Sequence, residues 1–158
     1  MDAEHLPVVV IGAGWAGLGV SFRLAAAGIR HQVLEGGRIG DTWRTQRWDS
    51  FHLNTVNAQS VLPGDAYEGN DPNGFMNRDE FVASLEDYAR RNRLPVVERE
   101  QVLELRKTSD SAFLVRTSRR TVQASNIVVA SGSLIRAKRP LFARRLAGDI
   151  VQIAASDY

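Results

Sequence analysis

The sequence VVVIGAGWAG at residues 8–17 decides the fold, because a β-branched apolar run passes directly into a glycine-rich turn. Residues 7–11 are typical of a buried parallel strand. The turn opens a predicted helix from Trp15 to Ala27, and a second strand is predicted over residues 31–34. A strand, a tight turn, a helix and a strand within about thirty residues predict the βαβ unit of a dinucleotide-binding domain.

The residues from Gly12 to Gly17 form a GxGxxG motif with the spacing of a phosphate-binding turn. Gly12 permits the tight turn, Gly14 lets a pyrophosphate approach the backbone, and Gly17 lets the helix pack close to the strand. Trp15 and Ala16 lie where the free N–H groups and the dipole of the helix favour an anion. We therefore expect this turn to hold the pyrophosphate of a dinucleotide.

An acidic residue, Glu35, follows the second predicted strand. A carboxylate there accepts hydrogen bonds from both hydroxyls of an adenosine ribose and repels a 2′-phosphate. Taken alone, Glu35 fits an ordinary exposed glutamate better, but the preceding glycine motif reverses that preference. Together the two features predict FAD or NAD, rather than NADP, as the dinucleotide.

Downstream of the second strand the sequence predicts a long loop and a helix. Residues 35–71 show little periodicity, and loops of this length inside a domain are usually functional. The helix begins after Asn77, which stands in a capping-box arrangement with Glu80, and it ends near Arg93. Its apolar residues share one face: Phe81, Leu85, Tyr88 and Ala89.

Short apolar runs then predict a β-meander and one further strand. The meander strands are expected at residues 102–105, 113–116 and 121–124, with a turn at 109–111. The further strand, residues 127–130, is fully apolar and stops at Ser131-Gly132. These elements predict an α/β fold, a Rossmann-like domain with a parallel sheet and an inserted β-meander.

The composition restricts the chemistry of the chain. Its 158 residues include no cysteine, which excludes disulfides, thiol nucleophiles and cysteine-ligated zinc. The three histidines are far apart in sequence, so we predict no metal site. The net charge is +2 and acids are interleaved with bases, so we predict no nucleic-acid partner. The most basic cluster is interpreted as a solvated face: Arg136, Lys138, Arg139, Arg144 and Arg145.

The N-terminal apolar run predicts neither a membrane span nor a signal peptide. Residues 8–20 are interrupted by four glycines and are too few to cross a bilayer. The residues before them lack a basic stretch. We therefore expect a cytoplasmic protein without a membrane partner.

Several further stretches share residue patterns with one family. They are EGG at 35–37, GDTWR at 40–44, WD at 48–49, LNT at 53–55 and IVVASG at 127–132. They resemble the class B flavoprotein monooxygenases, which include the flavin-containing and Baeyer–Villiger types. QIAASDY at 152–158 resembles the end of the family's FxGxxxHxxx(Y/F) signature. The resemblance covers the whole chain and implies an FAD-binding domain.

The resemblance implies roles for individual residues. Gly12, Gly14 and Gly17 would hold the FAD pyrophosphate, Glu35 the adenosine ribose, and the backbone of Val102 the adenine. Further residues implied to bind the cofactor are Trp15, Ala16, Gly36, Asp41, Thr42, Trp43, Asn54, Ala130 and Gly132.

Four of these residues would lie on the flavin side of the cofactor. The resemblance implies that Asn54 supports the oxygenated flavin, which makes it the candidate catalytic residue. Trp43 would lie along the flavin side with Asp41 and Thr42. From the residues alone, Trp43 is as typical of a loop anchor in the core, and Asn54 is more typical of a turn.

For a complete enzyme, the resemblance implies NADPH-dependent oxygenation of a small-molecule substrate. Because the family continues with a second GxGxxG for NADPH, we expect residues 1–158 to be an FAD-binding domain truncated before the NADPH-binding domain. Ala154 stands where the family signature has histidine. Two alternatives stay open: a non-catalytic nucleotide-binding module that acts with a partner chain, and a fragment of an NAD-dependent dehydrogenase.

A sheet that is incomplete on its C-terminal side has consequences for association. We expect strands near residues 8–11 and 127–130 to lose part of their cover. Unpaired edges and apolar patches drive association. Self-association or binding of a partner chain through this edge is therefore predicted.

Overall fold

The computed structural model describes residues 4–108, 112–132, 138–154 and 157, and its centre is a six-stranded sheet. The strands are β1 (Glu4–Ile11), β2 (His31–Leu34), β3 (Val96–Val97), β4 (Val102–Lys107), β5 (Phe113–Thr117) and β6 (Thr121–Val129). Their order across the sheet is β3-β2-β1-β6-β5-β4. The first four strands of this order are parallel, and the β6-β5-β4 part is an antiparallel meander. The predicted α/β class is confirmed.

The third meander strand and the following apolar strand are one element. The sequence predicted two strands, at residues 121–124 and 127–130, whereas β6 is continuous from Thr121 to Val129. Val122 to Val129 lie against β1 in parallel, while only Thr121 to Ala124 pair with β5. The polar residues Ser125 and Asn126, which lie between the two predicted strands, stay in β6 because the strand pairs with β1 on both sides of them.

The helices are α1 (Trp15–Ala26), α2 (Asp41–Thr45) and α3 (Arg78–Arg91), with 3₁₀ turns at Asn57–Gln59 and Leu141–Arg145. Helix α2 and the first 3₁₀ turn lie inside the long loop predicted from residue 35 to 71, and neither was predicted. Strand β3, of two residues, was also missed. All three are too short to carry a periodic sequence signal.

Helices α1 and α3 pack against one face of the sheet. The buried face of α1 is Gly17, Leu18 and Ser21, whereas Ala25 and Ala26 are exposed. The hydroxyl of Ser21 lies 2.7 Å from Nε2 of His31, and both side chains are buried. This contact joins α1 to β2. The buried face of the helix therefore includes a polar contact as well as the apolar side chain of Leu18.

The predicted capping box of α3 is confirmed. The side chain of Asn77 accepts hydrogen bonds from the backbone of Asp79 and Glu80, and the carboxylate of Glu80 accepts from the backbone N–H of Asn77. The predicted apolar face is confirmed as part of the core, with all four residues buried: Phe81, Leu85, Tyr88 and Ala89.

A second buried cluster joins residues of the parallel strands to residues of the meander strands. Six buried residues form this second core: Leu6, Val9, Leu34, Val115, Val122 and Ala124. Val8, Val9 and Val10 are at most 8% exposed, so the expectation that β1 loses its cover is wrong. Strand β1 is central and has a neighbour on each side. Val129 of β6 is 66% exposed, as expected for that strand.

Two predicted features fall outside the described residues. They are the turn at residues 109–111 and Arg136 of the basic cluster. Within the described residues, no helix combines the length and apolarity needed to cross a membrane.

The buried phenol of Tyr88 gives a test of stability at alkaline pH. Its hydroxyl donates to the carbonyl of Pro63 at 2.7 Å, and burial, reinforced by the charge of Asp65, raises the pKa of Tyr88 to about 12. Because the folded state binds this proton more tightly, the associated stability is complete below pH 10 and is lost as pH rises towards 12. The free energy of unfolding should fall over that range by roughly 1–3 kcal/mol more in wild type than in Tyr88→Phe. Urea denaturation of both proteins at each pH measures the free energy of unfolding. If it fell equally with pH in wild type and in Tyr88→Phe, the prediction would be wrong.

Candidate functional site

A cavity of about 800 Å³ opens at the carboxyl ends of β1, β2 and β6. Its volume is within the range of about 300–1,000 Å³ common for cofactor sites. In open α/β sheets, ligands bind outside the carboxyl ends of the strands. The glycine-rich turn forms one side, and the wall is completed by Ile11, Leu34, Glu35, Gly36, Gly40, Asp41, Thr42, Trp43, Arg47, Gln101, Val102, Val129, Ala130, Ser131 and Gly132.

The glycine-rich turn is built from two very close backbone contacts. Gly12 has φ +102°, and a Cβ there would lie 2.6 Å from the carbonyl oxygen of Ala130. At Gly17 a Cβ would lie 1.9 Å from the carbonyl oxygen of Gly12. Gly14 is different, since a Cβ there would meet no atom within 4 Å. Gly12 and Gly17 therefore serve the turn itself, and Gly14 leaves room at the cavity.

The first turn of α1 presents free backbone donors to the cavity. No side chain among the described residues caps this helix, whose N-cap residue is Gly14. Trp15 and Ala16, which begin the helix, both line the cavity. Uncapped N–H groups and the helix dipole make this end suited to an anion.

Glu35 joins the glycine-rich turn to the loop after β2. Its Oε2 accepts a hydrogen bond from the N–H of Ala13 at 2.7 Å, and its Oε1 accepts from Gly37 at 2.9 Å. The carboxylate also lines the cavity. Each carboxylate oxygen has a second lone pair, so these bonds leave acceptor capacity for a ligand.

Aromatic side chains support the wall formed by α2. Trp43 lies edge-on to Phe81, with ring centroids 4.8 Å apart, and Trp15 stacks on the same Phe81 at 5.6 Å. Trp43 also borders the cavity. It therefore packs against the core and also borders the cavity, while its place along a flavin stays a prediction.

The remaining walls come from chain segments distant in sequence. Gly36 lies against Gln101, whose Cγ would be 3.6 Å from a Cβ at Gly36, and Val102 follows it. The chain that follows β6 passes beside the glycine-rich turn, and its residues Ala130, Ser131 and Gly132 line the cavity.

Twelve of the residues proposed for the cofactor line this cavity, whereas Gly17 and Asn54 do not. Gly17 is buried beneath the turn. Asn54 is exposed on a bend of the long loop, so its catalytic role stays a prediction. Arg47 and Gln101 line the cavity and were missed, because no local motif distinguishes them.

The family described as pyridine nucleotide-disulphide oxidoreductase matches residues 9–143. The chain belongs to this family. An uncharacterized CzcO-like oxidoreductase of Geobacillus kaustophilus is 39% identical to it over 157 residues. The match covers 98% of this chain and 44% of the relative. The chain thus spans less than half of the length of this relative.

Solved structures share the fold of this chain. A flavin monooxygenase variant from Stenotrophomonas maltophilia has a TM-score of 0.84 and 26% identity, over 98% of this chain and 46% of that one. OTEMO in complex with FAD and NADP has a TM-score of 0.73 and 21% identity, over 89% of this chain and 28% of that one. The resemblance to flavin-containing and Baeyer–Villiger monooxygenases is confirmed at the level of family and fold.

Two glycine-to-alanine substitutions test the turn. Gly17→Ala places a methyl against the Gly12 carbonyl, so we expect the free energy of unfolding to fall by more than about 2 kcal/mol. Gly14 has φ −88°, which alanine adopts freely, and open space around it. Gly14→Ala should change the free energy of unfolding by less than about 0.5 kcal/mol. Chemical denaturation of both variants measures this difference, and equal losses would mean that the turn is built differently.

Proposed function

We propose that residues 1–158 form the FAD-binding, Rossmann-like portion of an NAD(P)H-dependent flavoprotein monooxygenase. The observation that carries the proposal is the cavity itself. It joins uncapped helix donors, an open Gly14 and the carboxylate of Glu35 around one space. NADPH would be used by a complete enzyme of this family, outside the site described here.

The groups that line the cavity, both donors and acceptors, would suit the successive parts of FAD. The N–H groups of Gly14, Trp15 and Ala16 would bind the pyrophosphate. Glu35 would accept hydrogen bonds from the adenosine ribose, and its charge would disfavour a 2′-phosphate. The adenine would lie against the backbone of Val102 and beside Gly36.

The flavin half would occupy the other part of the cavity. Asp41, Thr42 and Trp43 would lie along it, with Ala130 and Gly132 near the glycine-rich turn. The flavin, once bound, supplies the redox and oxygen chemistry, and this chain positions it and excludes water. Asn54 is proposed as the residue that acts near the flavin ring.

The relatives support this proposal at a coarser level. The family is one of oxidoreductases, and the neighbouring structures include flavin monooxygenases and a complex with FAD and NADP. A small molecule is the corresponding class of substrate, since the neighbouring structures include a steroid monooxygenase.

Glu35→Ala tests the proposed orientation of the cofactor. We expect the dissociation constant for FAD to rise roughly ten- to a hundredfold, because hydrogen bonds to a charged group are lost. Titration of the apo protein with FAD, followed by quenching of flavin fluorescence, measures it.

Glu98→Ala is the matched control for this substitution. The Glu98 carboxylate accepts from the N–H of Ile39 at 2.8 Å and so supports the same loop from outside the cavity lining. FAD affinity should change little in Glu98→Ala. An equal loss of FAD affinity in both variants would mean that Glu35 only supports the loop. Tight binding of NAD together with no binding of FAD would show that the cofactor proposed here is wrong.

We also propose that the open edge of β6 pairs with a second copy or a partner chain. Beyond Ala124, β6 pairs only with β1 among the described residues, and Val129 is largely exposed. Leu141, Phe142 and Val151 add exposed apolar surface in the segment that follows. Light scattering at micromolar concentration should therefore show dimers or larger species. A monodisperse monomer would contradict this.

A further inference from the structure

Arg47 supplies the only positively charged side chain among the described residues that line the cavity. The carbon at the centre of its guanidinium lies 4.7 Å from the ring centroid of Trp43 and 5.5 Å from that of Phe51. Its Nη1 donates to the carbonyl of Gln46 at 2.8 Å. The cation is therefore held in one place by two aromatic rings and a backbone carbonyl.

The backbone at Arg47 is held as firmly as its side chain. Its carbonyl accepts a hydrogen bond from Nη1 of Arg78 at 3.1 Å, and the Arg78 side chain also pairs with Asp49 and Asp79. Arg78 begins α3, so the core helix anchors the loop that carries Arg47. Among the described carboxylates, none forms an ion pair with the Arg47 guanidinium, which leaves its charge available to a ligand.

The position of Arg47 along the cavity identifies which part of a ligand it meets. Glu35, Gly36 and Gln101 form the end assigned to adenosine, whereas Arg47 packs on Trp43 of α2, in the wall assigned to the flavin. The N–H of Gly40, which precedes α2, donates to the carbonyl of Ala13 in the glycine-rich turn at 3.3 Å. A phosphate held at the first turn of α1 already has backbone donors, whereas the aromatic wall beside Arg47 suits a planar ring.

We propose that Arg47 tunes the redox state of the bound flavin by stabilising the negative charge that reduction adds to the ring. The inference rests on the proposed binding of FAD. A hydride from a reduced nicotinamide brings two electrons and one proton, so the ring gains one negative charge. A fixed cation next to that charge favours the reduced cofactor over the oxidised one.

The experiment compares charge removal with charge retention in the full chain. Arg47→Met keeps an apolar stem over Trp43 without the charge, Arg47→Gln removes the charge with a polar side chain, and Arg47→Lys keeps the charge. Arg90→Met, on an exposed part of α3, is the control. For each variant, dye-coupled titration with dithionite measures the midpoint potential of bound FAD, and separate titrations measure affinity for oxidised FAD and for ADP.

In Arg47→Met and Arg47→Gln, we expect affinity for reduced FAD to fall roughly tenfold relative to oxidised FAD. For a two-electron couple, this lowers the midpoint potential by about 30 mV. Arg47→Lys and Arg90→Met should retain the wild-type potential, and ADP affinity should be unchanged throughout.

Two results would overturn the inference without contradicting the proposal that the wild-type chain binds FAD. Equal losses of ADP and FAD affinity at an unchanged potential would place Arg47 on the pyrophosphate. An unchanged potential in both charge-removing variants, with unchanged affinities, would make Arg47 an aromatic-loop support alone. Failure of the wild-type chain to bind FAD would instead defeat the proposed function, and this inference with it.

Discussion

The close contact between Gly12 and Gly17 is the constraint on which the rest of the structure depends. A side chain at Gly17 would lie 1.9 Å from the Gly12 carbonyl, so only glycine lets α1 begin directly after β1. Gly12 in turn lies against the backbone of Ala130, which follows β6. Three elements therefore meet at one turn, and the cavity opens where they meet.

The loops around the cavity are held by carboxylates that bind the backbone. Glu35 accepts from Ala13 and Gly37, and Glu98 accepts from Ile39. These bonds hold the loop after β2 against the glycine-rich turn and against the residues that follow β3. Since an ordered site loses less entropy on binding, such bonds contribute to affinity without touching the ligand.

An ion pair between the buried Glu100 and the partly exposed Arg120 plays the same part on the meander side. Glu100 is 2% exposed and accepts hydrogen bonds from Arg120 at 2.9 Å and from the hydroxyl of Thr117 at 3.0 Å. Its backbone N–H donates to the carbonyl of Glu35 at 2.8 Å. Gln101 and Val102, which follow, line the cavity. The meander thereby places one wall of the site at a fixed distance from β2.

The sequence by itself determined the βαβ unit, the glycine-rich turn and the capped helix α3, because each depends on contacts within a few residues or on a clear period. Tertiary structure alone decided that β6 runs unbroken, since its polar middle is stabilised by pairing with β1. Tertiary structure also decided which residues line the cavity. Arg47 and Gln101 reach the cavity, and Asn54 lies outside its lining, through packing between segments far apart in sequence. Local sequence carries no record of such packing, because the contacts that fix these positions form only when the sheet and its helices assemble.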